Sequence, residues 1–218
     1  MTIVFDLPVA PSRMRKAIVR TVTASAAVPQ YSLEIDVPVA PILLAKDAAR
    51  ATASRASVSD VIHFAVVRAL ADHASLNASF TEEGAVYHSA VNLAFIVEVA
   101  DGMVTPAILG ADRMDLAGLA AARARLTEAA LNGTLTPEEM LSGTFTVSNL
   151  GTLGVHRFNA MVLPPQAAIL AVGSPGVSGV LTLTLSCDHR VVDGAPAARF
   201  LKQIADHLGD SPADERAS

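Results

Sequence analysis

The chain has 218 residues, enough for one large domain or two small ones with a sizeable core. Hydrophobic residues make up 51%, charged residues 17% and aromatics only 4%, so packing has to rest on Ala, Val, Leu and Ile. The net charge of −5 offers no basic field for nucleic acid or an anionic membrane, and one cysteine excludes an internal disulfide and suits a reducing cytosol.

The start, Met1 to Asp6, lacks a basic n-region, and residues 1–12, with Pro8 and Pro11, read as an arm or linker remnant. Residues 13–218 are expected to form one domain. Met14, Ile18 and Val22 recur at four-residue steps and predict a helix from Ser12 to about Ala26. Tyr31, Leu33, Ile35 and Val37 alternate with polar residues and predict a strand ending at Pro38, followed by a helix over 39–54. Ser57 or Ser59 caps an apolar helix to about Ala74, whose Asp60, His63 and Arg68 keep it short of a membrane span. The chain is therefore expected to be cytoplasmic, and His63 and His73 to be structural or solvated.

Residues 91–99 and 103–108 are β-rich runs joined through Asp101-Gly102, a hairpin pair. A helix over 115–131 closes at Asn132-Gly133, and Thr136-Pro137-Glu138-Glu139 is a capping box opening a short helix. Strands are expected near 143–149, 167–173 and 179–187, then a last helix carrying Ala197, Phe200, Leu201, Ile204 and Leu208 at helical spacing. The fold class is α/β, with a mixed sheet and helices.

Two stretches carry chemistry. In Asp188-His189-Arg190-Val191-Val192-Asp193-Gly194 a histidine stands between two aspartates where a strand gives way to a helix. The plain alternative is that Asp193 caps that helix, Arg190 is a solvated charge and His189 a satisfied imidazole. In the other, a strand delivers Ser148 and Asn149 to a glycine-relieved loop, which is also ordinary turn chemistry.

Together, Phe-Thr-x-Ser-Asn-Leu-Gly at 145–151, Pro-Pro-Gln-Ala-x-Ile-Leu-x-Val-Gly at 164–173 and Asp-His-Arg-Val-x-Asp-Gly at 188–194 resemble the catalytic domain of dihydrolipoyl acyltransferases. These are the core enzymes of 2-oxo acid dehydrogenase complexes. Residues 14–18, 76–79, 101–106 and 137–140 extend the resemblance over nearly the whole chain. It implies a two-layer, chloramphenicol-acetyltransferase-like fold and a homotrimer with each active site at a subunit boundary. By position His189 matches the general base, Ser148 the oxyanion donor from the neighbouring subunit, and Asp193 a supporting residue; Arg15 is its candidate counter-ion, and Asn149 stands beside Ser148.

Imidazole suits such chemistry, because it can take a thiol proton near neutral pH. The resemblance further implies coenzyme A as a substrate, a lipoyl group borne on a separate domain or chain, no metal, and decarboxylase and dihydrolipoyl dehydrogenase partners. Acetyl is the expected acyl group, with a branched-chain acyl open. Alternatives are an acetyltransferase with a small alcohol or amine acceptor, or an idle assembly core that binds partner enzymes. Cys187 is a rival covalent nucleophile, though its alternation points it inward, and His156-Arg157 is a candidate contact for the phosphates of coenzyme A or a solvated pair. Residues 173–180 look shorter than the family's hairpin, and the polar end at 210–218 predicts a trimer that assembles no further.

Overall fold

A computed structural model describes residues 10–51 and 55–209. In chain order they form α1 (Arg13–Ala26), β1 (Gln30–Pro38), α2 (Val39–Ala51), α3 (Val58–Asp72), β2 (Ala78–Thr81) and β3 (Gly84–Tyr87). Then come β4 (Leu93–Phe95), β5 (Val97–Val99), β6 (Gly102–Val104), β7 (Ala107–Ile108), α4 (Leu116–Asn132) and α5 (Pro137–Leu141). The last elements are β8 (Phe145–Asn149), β9 (Ala168–Val172), β10 (Val180–Asp188) and α6 (Gly194–Gly209).

The main sheet has six strands in the order β1-β10-β9-β8-β4-β7. β9, β8 and β4 run parallel, and β1, β10 and β7 pair antiparallel to their neighbours, so the sheet is mixed as expected. Its inward face carries Leu181, Leu183, Leu185 and Cys187 of β10, Leu170 of β9 and Phe145 and Val147 of β8. These pack on Ile62 and Val66 of α3 and on Phe200 and Ile204 of α6. Phe200 meets Phe145 edge-on with ring centroids 5.6 Å apart.

The second face is polar and closely covered. Ser32 and Ser186 share a 3.1 Å hydrogen bond there, and Thr146 donates to Gln166 at 2.7 Å. The chain from 155 to 166 crosses this face. It is tied by Arg157 to Glu34 at 3.1 Å and by Gln30, which accepts from Val162 N–H at 2.9 Å.

The helix starts follow the sequence. Ser57 and Asp60 form one capping box, Thr136 and Glu139 another, and Gly133 closes α4 in the left-handed region at φ 66°. Asp101-Gly102 turns β5 into β6.

Two expected strands need correction, and one hairpin is new. The run 91–99 is split at Ile96 into β4 in the main sheet and β5 in a separate hairpin, and 103–108 likewise divides at Thr105-Pro106, where proline has no N–H for a ladder. The hairpin β2–β3 was not expected. Its turn, Glu82-Glu83, separates strands of four residues each, too short for alternation to declare itself. The expected arm at 1–12, apart from residues 10–12, and the polar end at 210–218 lie outside the described residues.

Candidate active site

β10 delivers His189 because its nine-residue alternation locks it between β1 and β9 up to Asp188, where the ladder ends. The backbone then turns. Val191 and Val192 N–H both donate to the Asp188 carbonyl at 3.0 Å, and His189 N–H donates to the Pro29 carbonyl at 2.9 Å. The imidazole projects from this turn with 55% of its side chain exposed. The ring sits beside Tyr31, tilted by 54° with the centroids 4.7 Å apart. Its Nδ1 stands 3.7 Å from Asp193 Oδ1, beyond a hydrogen bond.

Asp193 does not serve as a side-chain cap. Its backbone carbonyl takes the Ala197 N–H at 3.3 Å, while its carboxylate is 83% exposed. Arg190 is no free solvated charge either. It grips the buried Asp188 carboxylate through Nε at 2.9 Å and Nη2 at 2.6 Å, and those bonds hold the guanidinium above its ordinary pKa. Asp188 continues the polar alternation of Thr182, Thr184 and Ser186, which is the signal that could have placed it on the covered polar face of the strand.

Ser148 lies on the crowded polar face of β8, opposite Ala171, and is nearly buried. Asn149, one residue on, points to the helix side. It donates to Ser59 Oγ at 3.0 Å and accepts the Gly151 N–H at 2.9 Å. The two residues therefore work on opposite faces of the sheet.

Within one chain Ser148 and His189 do not converge. Ser148 is level with Ala171 and hence with Thr184, five residues short of His189 and two strands across. At ~3.3 Å per residue and ~4.8 Å per strand, this is about 19 Å. Arg15 is exposed on α1 and makes no ion pair with Asp193 or any other described residue; its backbone N–H donates to Ser12 Oγ at 3.1 Å.

Cys187 is wholly buried, and burial pushes its thiol up to about 12, so a thiolate nucleophile is not available there. His156 Nδ1 stands 3.1 Å from Ser174 Oγ and Arg157 pairs with Glu34, so both have structural partners. Among the described residues no group of three or more His, Cys, Asp and Glu side chains is placed to hold a metal ion. Also among the described residues, no helix is long and apolar enough to cross a membrane.

Sequence reasoning missed the cluster beneath Asn149. Asp60, with its side chain fully buried, takes a fork from Arg123 (2.5 and 3.0 Å) and bonds from Ser57 N–H and Oγ at 2.8 and 2.6 Å. Beside it a cavity of about 260 Å³ is lined by Asn149, Ser59, His63, Glu98 and Arg123 among others. His63 Nδ1 is buried there without a hydrogen-bond partner, and burial pushes its imidazole down to about 4.

Comparison with known proteins gives one consistent answer. The sequence model of the family described as 2-oxoacid dehydrogenases acyltransferase (catalytic domain) matches residues 8–213. The dihydrolipoyllysine-residue acetyltransferase component of the pyruvate dehydrogenase complex from Dictyostelium discoideum is 35% identical over 93% of this chain and 34% of its own length. A truncated catalytic core of the 2-oxoacid dehydrogenase multienzyme complex from Thermoplasma acidophilum superposes with TM-score 0.89 at 26% identity, covering 95% of this chain and all of that one. The dihydrolipoamide acetyltransferase of Azotobacter vinelandii superposes at 0.87 with 28% identity over 94% and 92% of the two chains. That structure served to investigate the catalytic roles of a serine, a histidine and an asparagine four positions after the histidine; four positions after His189 this chain has Asp193. Chloramphenicol acetyltransferase, 15% identical with TM-score 0.57 over 87% and 94% of the chains, shares the fold alone. The chain spans about a third to a half of the length of the curated relatives it matches. It belongs to the 2-oxoacid dehydrogenase acyltransferase catalytic-domain family.

Proposed function

We propose that this chain transfers an acetyl group between a dihydrolipoyl group and coenzyme A, as the acyltransferase of a pyruvate dehydrogenase complex. The observation that carries the reading is the Asp188–Gly194 turn, which holds a half-exposed imidazole at an open sheet end with a carboxylate 3.7 Å from its Nδ1. That arrangement leaves Nε2 free to act as base. It takes the proton of the coenzyme A thiol, and the thiolate attacks the thioester carbonyl of acetyl-dihydrolipoamide. The Ser148 hydroxyl donates to the tetrahedral oxyanion. Collapse expels the dihydrolipoyl thiolate, which recovers the proton from the His189 imidazolium.

With about 19 Å between the two groups in one chain, Ser148 has to come from a neighbouring copy. A homotrimer supplies it, with each site at a subunit boundary. α1 supports such an assembly. Ser25 is its one buried residue, and its Met14, Ile18 and Val22 line an apolar groove of about 710 Å³ with Met103 and Met140. A 14-residue helix packed so little on its own chain gains stability from a neighbour. In this reading the lipoyl group arrives on a separate domain or chain, decarboxylase and dihydrolipoyl dehydrogenase are the working partners, and the compartment is the cytoplasm.

The test is release of free thiol from acetyl-, isobutyryl- and succinyl-coenzyme A with free dihydrolipoamide as acceptor. Turnover with acetyl-coenzyme A, lowered roughly 10²–10⁴-fold by His189→Ala and about 10²–10³-fold by Ser148→Ala, supports the reading. Turnover confined to isobutyryl-coenzyme A moves the assignment to a branched-chain complex. Inertness toward every donor turns it into an assembly core.

A further inference from the structure

The turn that presents His189 is held from beneath by a stack that acyl transfer does not itself consume. Asp188 is 1% exposed, and an unpaired carboxylate at that depth is costly. Arg190 answers it three times, through Nε, Nη2 and its own backbone N–H at 2.9 Å. The guanidinium carbon lies 3.7 Å from the centroid of the Phe80 ring, so one face is stacked while the edge is forked onto the carboxylate. Phe80 is itself anchored, its N–H donating to the Pro165 carbonyl at 2.8 Å.

Around His189 three successive backbone N–H groups are fixed. Asp188 N–H donates to the Ala167 carbonyl at 2.8 Å, His189 N–H to Pro29, and Arg190 N–H to the Asp188 side chain. The imidazole, by contrast, has no hydrogen bond; the Tyr31 ring lies beside it and the Asp193 carboxylate stands 3.7 Å from its Nδ1. With no hydrogen bond on the ring itself, its placement depends on the turn that carries it.

We propose that Arg190, seated between Asp188 and the Phe80 ring, is a positioning residue that aims His189, with Phe80 as its platform. The proposal rests on the acyltransferase reading given above. Lysine at 190 keeps the charge but loses both the fork and the flat face, and leucine at 80 removes the quadrupole that holds the guanidinium. Either change leaves the base in place but misdirected, and misdirection of a reacting group lowers turnover rather than binding.

Arg190→Lys, Phe80→Leu and Phe80→Tyr are to be measured in the assembled protein, with kcat and KM for acetyl-coenzyme A and dihydrolipoamide determined separately. The expected result is a loss of roughly 10-fold in kcat for the first two with KM changed less than about 2-fold, and recovery to within about 2-fold of wild type for the tyrosine, which keeps the ring. Should Arg190→Lys fail to fold, the two Phe80 variants decide. Unchanged kcat in an active protein, a raised KM at constant kcat, or a tyrosine variant as slow as the leucine one overturns the positioning role. A wild-type protein inert toward every acyl donor overturns the acyltransferase reading and the proposal with it, a result distinct from the other three.

Discussion

The buried pair Asp60–Arg123 offers a stability test whose size follows from its geometry. The Asp60 side chain is fully buried and has four donors, two from Arg123 and two from Ser57. Burial opposes its charged form, yet the bonds from Arg123 and Ser57 outweigh that and hold the carboxyl below its ordinary pKa. Arg123→Met keeps most of the side chain's bulk and removes the fork, leaving a carboxylate inside the protein with Ser57 alone. Breaking one partner of such a pair costs about 3–5 kcal/mol, and the surviving Ser57 bonds set the expectation at the lower end, about 3 kcal/mol. At about 2–4 °C per kcal/mol for a chain of this size, the thermal midpoint should fall by about 6–12 °C. The measurement is thermal unfolding followed by circular dichroism at fixed protomer concentration, since assembly makes the midpoint concentration-dependent. Adding Asp60→Asn should recover more than half of the loss, because the second change removes the stranded charge. A single variant within about 2 °C of wild type would refute the claim that this pair anchors the start of α3.

Acid should act through His63. Burial, reinforced by Arg123 and opposed by Asp60, pushes its imidazole down to about 4, so the folded protein keeps it neutral while the unfolded chain protonates near 6.5. Stability is therefore lost as pH falls from about 6.5 through about 4, by on the order of 3 kcal/mol; urea midpoints for His63→Leu should be flatter than wild type across that window, and equal slopes would exclude His63 as the source. A Cβ at Gly173 would collide with the His156 backbone carbonyl, so Gly173→Ala should cost more than about 2 kcal/mol in a urea titration or fail to fold, and a neutral outcome would show that the 155–166 crossing is loosely held. Cys187, with its thiol pushed up to about 12, should resist a thiol reagent until the protein unfolds, and Cys187→Ala should turn over within about 2-fold of wild type. A dead alanine variant would restore that thiol as the nucleophile.

What the sequence disclosed, and what it withheld, divides by the range of the interactions. The alternation of β10, the capping box at Thr136 and the Asp101-Gly102 turn are local, and each stands where the pattern put it; of the two candidate caps of α3, Ser57 is the one used. β2 and β3 are four residues long, and such short strands are defined by what they pair with rather than by their own period. Arg123 and Asp60 are 63 positions apart, so nothing in either helix announces the other. The opposite orientations of Ser148 and Asn149 were implicit in strand alternation, but a motif read as one loop concealed them. Arg190 could be read as a solvated charge because the expected strand ended near 187, one residue short of its partner Asp188, the last residue of β10 on the covered polar face.

The central claim, that each site joins His189 of one copy to Ser148 of another, is tested most directly by mixing two inactive proteins. His189→Ala and Ser148→Ala chains are dissociated together in equal amounts, reassembled and assayed with acetyl-coenzyme A and dihydrolipoamide. If the site is shared between neighbours, random reassembly restores both groups at about one site in four, giving about a quarter of wild-type activity. Activity no higher than that of either variant alone would contradict the account.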